Sequence, residues 1–434
     1  MKKHFSLSLQ SIIIILISIL SLSIFPGFLY PDTAPADRES REDNIKLFTE
    51  GSNKPLYDDF IDIEATNALL MDAESGNILW GKNENQEVYP ASITKIMTAI
   101  LVIENIEDLD EIVEISENAS GVNHSAFFFD RGDRITLLDL LKSALIVSHN
   151  NATIALAEYI AGSTGDFVAM MNRKANELGA HNTNFENTNG LDSKFPGHKT
   201  TAYDIALIAK YAMENELFRE IVSTSTDEIL LNDDKVPLEN TNKLLIYDYI
   251  KGIKTGYTEN AGFCLAAFSD LNGRELITVI LNSGVNTRER DALNLIYWAD
   301  NNIKTVKLVD SQIPLESVKV GTNTRVSVDL YASEDISRMI HLTNNHVELE
   351  HSLEPVRTLP LKKNTVMGDL TVTVNDIDIG TVSLINITSI DMPHIYQDVS
   401  GKITRQKIVT IACLLAFYFL VIIFIIFKNL LKKR

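Results

Sequence analysis

The chain has 434 residues, 45% of them hydrophobic and 22% charged, the balance of a folded protein long enough for two or three domains. A formal net charge of −19 argues against a nucleic-acid partner, which needs a basic face. Cys413 lies in an apolar run near the end, so no disulfide with Cys264 is expected. The nine scattered histidines show no zinc spacing, and no metal or other cofactor is expected.

Met1-Lys2-Lys3-His4, followed by an apolar run from Leu9 to Phe28, reads as a secretory signal over residues 1–36. Ala34-Pro35-Ala36 offers small residues for cleavage. The run is long for a signal, so an uncleaved anchor is the alternative. Either way the bulk of the chain is expected outside the cytoplasm. Residues 37–60 are polar and charged and read as a linker.

A domain is expected over 61–303. Residues 65–72 and 78–81 read as strands joined by the turn Glu74-Ser75-Gly76-Asn77. A helix is predicted over 91–103, with Pro90 at its start, where a missing N–H costs nothing. Ser92 and Lys95 are i and i+3 on it, so hydroxyl and amine share a face. The free N–H groups and positive dipole end of the helix lie beside that serine and suit a developing oxyanion. Residues 135–146 and 151–160 read as helices, with Ser148-His149-Asn150 on the loop between them. A loop can present a second catalytic serine, and a plain helix cap is the alternative. Helices are predicted over 167–178 and 202–212, with Asn189-Gly190-Leu191-Asp192 as a turn between them. Strands follow over 228–231, 252–254, 262–269 and 275–281, with Asp270-Leu271-Asn272-Gly273 as a hairpin loop, and a helix over 291–301. Lys254-Thr255-Gly256 falls on one of these strands, and Gly256 removes a side chain where a backbone or ligand must come close. Helices in the middle with strands at both ends indicate α+β with an antiparallel sheet, not repeated βαβ units.

Residues 304–390 read as a second, all-β domain, with strands over 306–308, 325–330, 346–349, 371–374 and 381–387 and no catalytic constellation. Residues 391–407 are a polar linker. Residues 408–427 carry no charge, and at 1.5 Å per residue they match a hydrocarbon core of ~30 Å. A single transmembrane helix is expected there, a buried core helix being the alternative. The basic tail 428–434, with Lys428, Lys432, Lys433 and Arg434, puts that end in the cytoplasm and the folded domains outside.

An alcohol attacks poorly until a base takes its proton. Lys95 does so only as a neutral amine, so its pKa must fall about three units from ~10.4. Burial and a nearby Lys254 ammonium both push it that way. Lys95 then reads as the base and Lys254 as a fixed cation. Ser148 can relay a proton to a leaving amine, Asn150 can orient Lys95 or a substrate amide, and Lys254 with Thr255 can bind a carboxylate.

Ser-x-x-Lys, Ser-x-Asn and Lys-Thr-Gly, in that order, are the set of penicillin-binding proteins and class A β-lactamases. The chain resembles the D-alanyl-D-alanine carboxypeptidases, the low-molecular-weight penicillin-binding proteins of peptidase family S11. Further motifs carry the likeness: Pro90-Ala91-Ser92-Ile93-Thr94-Lys95-Ile96-Met97-Thr98, Ala155-Leu156-Ala157-Glu158, Met171-Asn172-Arg173-Lys174-Ala175, Asn240-Thr241-Asn242-Lys243-Leu244-Leu245 and Gly252-Ile253-Lys254-Thr255-Gly256-Tyr257-Thr258. Val366-Met367-Gly368-Asp369-Leu370-Thr371-Val372 resembles the β domain that follows in many members. The resemblance spans 61–387. It implies a penicillin-binding/β-lactamase-like catalytic fold in which Ser92 is acylated, Lys95 is its base, and Ser148 with Asn150 forms the second motif. Lys254, Thr255 and Gly256 form the third. The backbone N–H groups of Ser92 and Tyr257 would form the oxyanion hole, and Arg290, or alternatively Arg288, would hold the terminal carboxylate. The implied reaction removes the terminal D-alanine from a peptidoglycan stem pentapeptide, β-lactams acylate Ser92 in place of the substrate, and the enzyme sits at the cell membrane.

The chain departs from the family in three places. Tyr257 stands where histidine is common, His149 where glycine is common, and a full span replaces the usual amphipathic C-terminal helix. A class A β-lactamase, the first alternative, needs a glutamate in Glu-x-x-Leu-Asn. Glu228-Ile229-Leu230-Leu231-Asn232 fits that string, yet it lies in a strand-like stretch where a hairpin is expected. A non-catalytic wall scaffold is the second alternative, and the choice between water and an amine as acceptor is open.

Overall fold

The computed structural model describes residues 61–120, 129–320, 326–342, 346–354, 359–375, 377–391, 408–410 and 412–415. The expected signal 1–36, the linkers 37–60 and 391–407 (all but residue 391) and the tail 428–434 lie outside these residues. So does most of the apolar run 408–427, of which 408–410 and 412–415 are helical. Among the described residues no helix is long and apolar enough to cross a membrane. The described residues fall into two units, 61–306 with 338–342, and 307–337 with the residues from 346 on.

In the first unit β1 (Asn67–Asp72) and β2 (Ile78–Lys82) form an antiparallel pair. A tight helical turn, Ala91–Thr94, leads into α1 (Lys95–Asn105). A short ladder of β3 (Ile112–Glu114) with β4 (Arg134–Thr136) brackets α2 (Glu117–Ser120). Then come α3 (Leu137–Ile146), α4 (Asn150–Ala161), α5 (Thr164–Glu177), α6 (Ala202–Met213) and α7 (Glu216–Ser223). A hairpin of β5 (Thr226–Leu231) and β6 (Asp234–Glu239) precedes β7 (Ile250–Thr258), β8 (Gly262–Leu271), β9 (Arg274–Ser283) and α8 (Arg288–Asn302).

The main sheet has the order β2-β1-β9-β8-β7 and is antiparallel throughout. All six residues of β1 are buried, because both faces of the sheet are covered. Leu69, Met71, Ile277 and Val279 join the core made with α1 and the helices behind it. Ala68, Leu265, Ala267 and Ile280 pack with Leu293, Leu295 and Ile296 of α8 on the other face. Period-2 alternation therefore sorts the strand residues into two cores.

Capping residues set the helix starts. Thr136, Ser163, Thr201 and Asn215 each accept a backbone N–H three residues on, at the starts of α3, α5, α6 and α7. Asp291 is fully buried in the first turn of α8. It accepts the Ala65 N–H at 2.8 Å and the Ser283 hydroxyl at 2.8 Å, which fastens the start of the unit to its last helix. The helix expected over 91–103 starts as a separate tight turn, because Ala91 has φ of +47° and the Thr94 hydroxyl donates to the Ala91 carbonyl at 2.8 Å. Residues Lys95 to Val102 of α1 are all buried, so the helix runs through the core.

In the chain that follows lie β10 (Ile303–Val309), β11 (Glu316–Val320), β12 (Val326–Ala332), β13 (Ile336–His341), β14 (Val347–Leu353), β15 (Val366–Val374) and β16 (Ile377–Asn386). The second unit is built on an antiparallel sheet of order β11-β12-β16-β15-β14. Its core is aliphatic, with Val328 and Leu330 of β12, Val382 and Leu384 of β16 and Leu370 and Val372 of β15 buried together from three neighbouring strands.

Candidate active site

The Lys95 amine is the centre of a closely packed polar group. It lies 2.8 Å from the Ser92 Oγ, 2.9 Å from the Asn150 Oδ1 and 2.9 Å from the Asn189 carbonyl oxygen. Two of these neighbours, an amide oxygen and a carbonyl, only accept, so they take two amine hydrogens. A neutral amine then has its lone pair left for the Ser92 hydroxyl. Burial first, and the Lys254 charge second, hold the Lys95 pKa well below that of a free lysine. With Lys95 in its neutral form, the arrangement can take a proton from Ser92.

Ser92 and Lys95 come from the tight turn and from the first residue of α1. Asn150 is the first residue of α4, and His149 before it caps that helix, its Nδ1 accepting the Ala152 N–H at 3.3 Å. The His149 ring packs 4.4 Å from Phe129. The cap is therefore His149 rather than Ser148, and Ser148 stands before it at φ +62°, half-buried.

The Asn189 carbonyl was not legible as a site group, since a backbone oxygen leaves no residue-type signal. Its turn is rigid: the Asn187 Oδ1 accepts the Gly190 N–H at 2.7 Å, and the Asn187 Nδ2 donates to the Leu191 carbonyl at 2.7 Å. Asp192, also buried, accepts from the hydroxyl of Thr258 at the end of β7 and from Asn260. Gly190 has φ of +92°, and a Cβ there would lie 1.8 Å from the Ala91 carbonyl oxygen. Behind the serine turn, the His198 Nδ1 accepts the Glu186 N–H at 2.9 Å, which leaves Nε2–H to donate to the Thr94 Oγ1 at 2.8 Å. Burial, and then the charge of Lys199, lower the His198 pKa to about 4, so the ring is neutral at neutral pH.

The third motif lies on β7, at the edge of the sheet. A Cβ on Gly256 would sit 3.0 Å from the Ser92 nitrogen and 3.0 Å from the Ala91 Cβ, so glycine lets the strand close on the serine turn. Lys254 is buried and donates to the Thr255 carbonyl at 3.0 Å. Burial, and then Arg288, lower its pKa to about 7. The Thr255 hydroxyl meets the Thr241 hydroxyl at 2.6 Å. Tyr257 is exposed, with its ring 4.5 Å from that of Phe263.

The two arginines differ sharply. Arg290 donates to Glu64 at 2.8 Å and lies 3.4 Å from Asp291, so two carboxylates hold its guanidinium. Arg288 donates to the Gly256 carbonyl at 3.1 Å, pairs with Glu289 at 2.7 Å and lies over the Phe263 ring. Arg288 is thus the arginine in contact with β7, while the expected Arg290 pairs with Glu64 and Asp291. Glu228, the residue that fits the β-lactamase string, is on the β5–β6 hairpin in an ion pair with Lys235.

The family model of the D-alanyl-D-alanine carboxypeptidases, peptidase S11, matches residues 51–284. The chain belongs to this family. A second model, the C-terminal domain of penicillin-binding protein 5, matches residues 304–391. Among curated relatives, the D-alanyl-D-alanine carboxypeptidase DacF of Bacillus subtilis is 34% identical over 317 residues, 71% of this chain and 81% of the relative. Among solved structures, penicillin binding protein 5 of Haemophilus influenzae aligns at a TM-score of 0.63 and 29% identity, covering 79% of this carboxypeptidase and 100% of that chain. A mutant of a Streptomyces DD-transpeptidase aligns at a TM-score of 0.52 and 29% identity over 57% of this chain and 100% of its own.

The two close approaches give different expected defects. In Gly256→Ala the strand and the serine turn give by a few tenths of an ångström. Acylation by a fluorescent penicillin then falls about tenfold while the melting temperature changes little. In Gly190→Ala the new methyl meets backbone, and the variant loses both its cooperative melt and its labelling. Equal labelling by wild type and Gly256→Ala contradicts the close packing of β7 on Ser92.

Proposed function

We propose that this D-alanyl-D-alanine carboxypeptidase works through an acyl-enzyme on Ser92, releasing the terminal D-alanine of a peptidoglycan stem pentapeptide. The observation that carries the reading is the buried Lys95 amine with two fixed acceptors and one hydroxyl around it. Lys95, neutral, takes the Ser92 proton as Oγ attacks the carbonyl of the penultimate residue. The backbone N–H groups of Ser92 and Tyr257 receive the oxyanion. Ser148 relays that proton from the Lys95 ammonium to the leaving D-alanine amine, which returns Lys95 to its neutral form, and Asn150 holds Lys95 in place. Water then attacks the ester, with Lys95 again accepting the proton.

The terminal carboxylate of the substrate is assigned to Lys254, Thr255 and Arg288. Arg288 replaces Arg290 in this role because Arg290 is held by Glu64 and Asp291. Gly256 supplies the clearance. β-Lactams, which carry a carboxylate beside a strained amide, acylate Ser92 in place of the peptide. A class A β-lactamase is disfavoured because Glu228 is paired with Lys235 on a hairpin. We also assign the chain to the cell surface, with residues 61–303 as the catalytic domain and 304–390 as the β domain. A signal or anchor at 1–36 and a single span at 408–427 would tether them outside the membrane.

Two measurements test this reading. Full-length enzyme in detergent is expected to release D-alanine from a pentapeptide ending in D-Ala-D-Ala, and Ser92→Ala to release none. Release by Ser92→Ala refutes the nucleophile, and penicillin labelling without release redirects the acyl group to an amine acceptor. The second is a pH profile. A Lys254 ammonium binds carboxylate only while protonated, so kcat/KM falls as pH rises through about 7. Arg288 holds that pKa down, so Arg288→Gln moves the alkaline limb to higher pH while raising KM. An unmoved limb contradicts the role of Lys254.

A further inference from the structure

The segment between β6 and the short Lys243–Ile246 turn carries no role in the mechanism above, yet it touches the third motif and is fastened to the end of α3 just before the second. The Thr241 backbone N–H donates to the Ile146 carbonyl at 3.1 Å, two residues before Ser148. The Thr241 hydroxyl lies 2.6 Å from that of Thr255 on β7. Asparagines fix the segment on both sides. The Asn240 Nδ2 donates to the Thr224 carbonyl at 2.9 Å, the Asn240 Oδ1 accepts the Asn242 N–H at 2.9 Å, and the Asn242 Oδ1 accepts the Leu244 N–H at 3.1 Å. Asn242 is buried. Thr241 is thus held in place by its own backbone and by its neighbours, and its hydroxyl is free to act on Thr255.

A hydroxyl has one hydrogen to donate. A carboxylate only accepts. If Thr255 holds the terminal carboxylate, its hydrogen points to that carboxylate, and its remaining contact with Thr241 must be one in which Thr255 accepts. The hydrogen between the two threonines then belongs to Thr241. We propose that Thr241 is a positioning residue for recognition of a free C-terminal carboxylate: by donating to Thr255, it turns the Thr255 hydroxyl toward the substrate. Donation into Thr255 also polarises its O–H and strengthens the outgoing bond. Without Thr241 the Thr255 hydroxyl rotates freely, and the preference for carboxylate over neutral termini declines. The proposal rests on the assignment of Thr255 to the substrate carboxylate.

The test compares acylation of full-length enzyme by benzylpenicillin and by its methyl ester, followed by intact mass. Wild type is expected to react faster with the acid. Thr241→Val, which keeps the shape and removes the donor, leaves Thr255 unaimed, weakens its bond to the charged carboxylate and lowers the acid rate about tenfold. It leaves the ester rate within about twofold. Thr241→Ser restores the preference, and Thr241→Ala repeats the loss if valine perturbs the fold. Thr255→Val loses the preference equally, and adding Thr241→Val to it changes nothing more. Equal losses on acid and ester, or no loss on either, overturn the proposal. Should Thr255→Val keep the preference, the assignment of Thr255 falls, and the role of Thr241 falls with it.

Discussion

A lysine amine buried at the start of a core helix is the constraint on which this structure turns. Lys95 has no exposure to water, and a charged amine there would lose its hydration without a carboxylate to replace it. The surroundings instead suit a neutral amine: two acceptors for its hydrogens and a serine hydroxyl opposite its lone pair. Much of the first unit exists to hold those partners. The 187–192 turn delivers the Asn189 carbonyl, the His149 cap fixes the start of α4 and with it Asn150, and the neutral His198 ring braces Thr94 beneath Ser92.

The cations form a graded series. Arg288, on α8, lowers Lys254 on β7, and Lys254 lowers Lys95 on α1. Burial is the larger cause for both lysines, so the series refines what the core imposes. The gradient runs from a permanent cation near the sheet edge to a neutral base beside the serine. That polarity fits a substrate whose carboxylate and scissile carbonyl are separated by a single residue.

The sequence was most legible where residue type and chemistry coincide. The spacing of Ser92 and Lys95 predicted a shared face, and the two side chains meet, though through a tight turn rather than one continuous helix, because Ala91 takes a left-handed φ. The inner main-sheet strands β1, β8 and β9 were readable because they are apolar on both faces, whereas β2 is a short, partly exposed edge strand marked by the turn before it. Helix α7, with its one-sided apolar stripe, and the short strands β11 and β13 went unread for want of a long pattern. The Asn189 carbonyl was illegible in principle, although Asn189-Gly190-Leu191-Asp192 did mark a turn. Choosing between Arg288 and Arg290 needed the structure, since the two are only two residues apart in sequence, while in space Arg288 reaches the Gly256 carbonyl and Arg290 reaches Glu64.

The central claim is the neutrality of Lys95, and side-chain NMR tests it most directly. Lysine labelled with carbon-13 at Cε would be titrated in the wild-type enzyme, with Lys95→Arg to assign the resonance. The account predicts one lysine that stays a neutral amine well below the pH at which ordinary lysines lose their proton, and whose pKa rises when Lys254→Gln removes the neighbouring charge. A Lys95 resonance that titrates with the exposed lysines, near ~10.4, would contradict it.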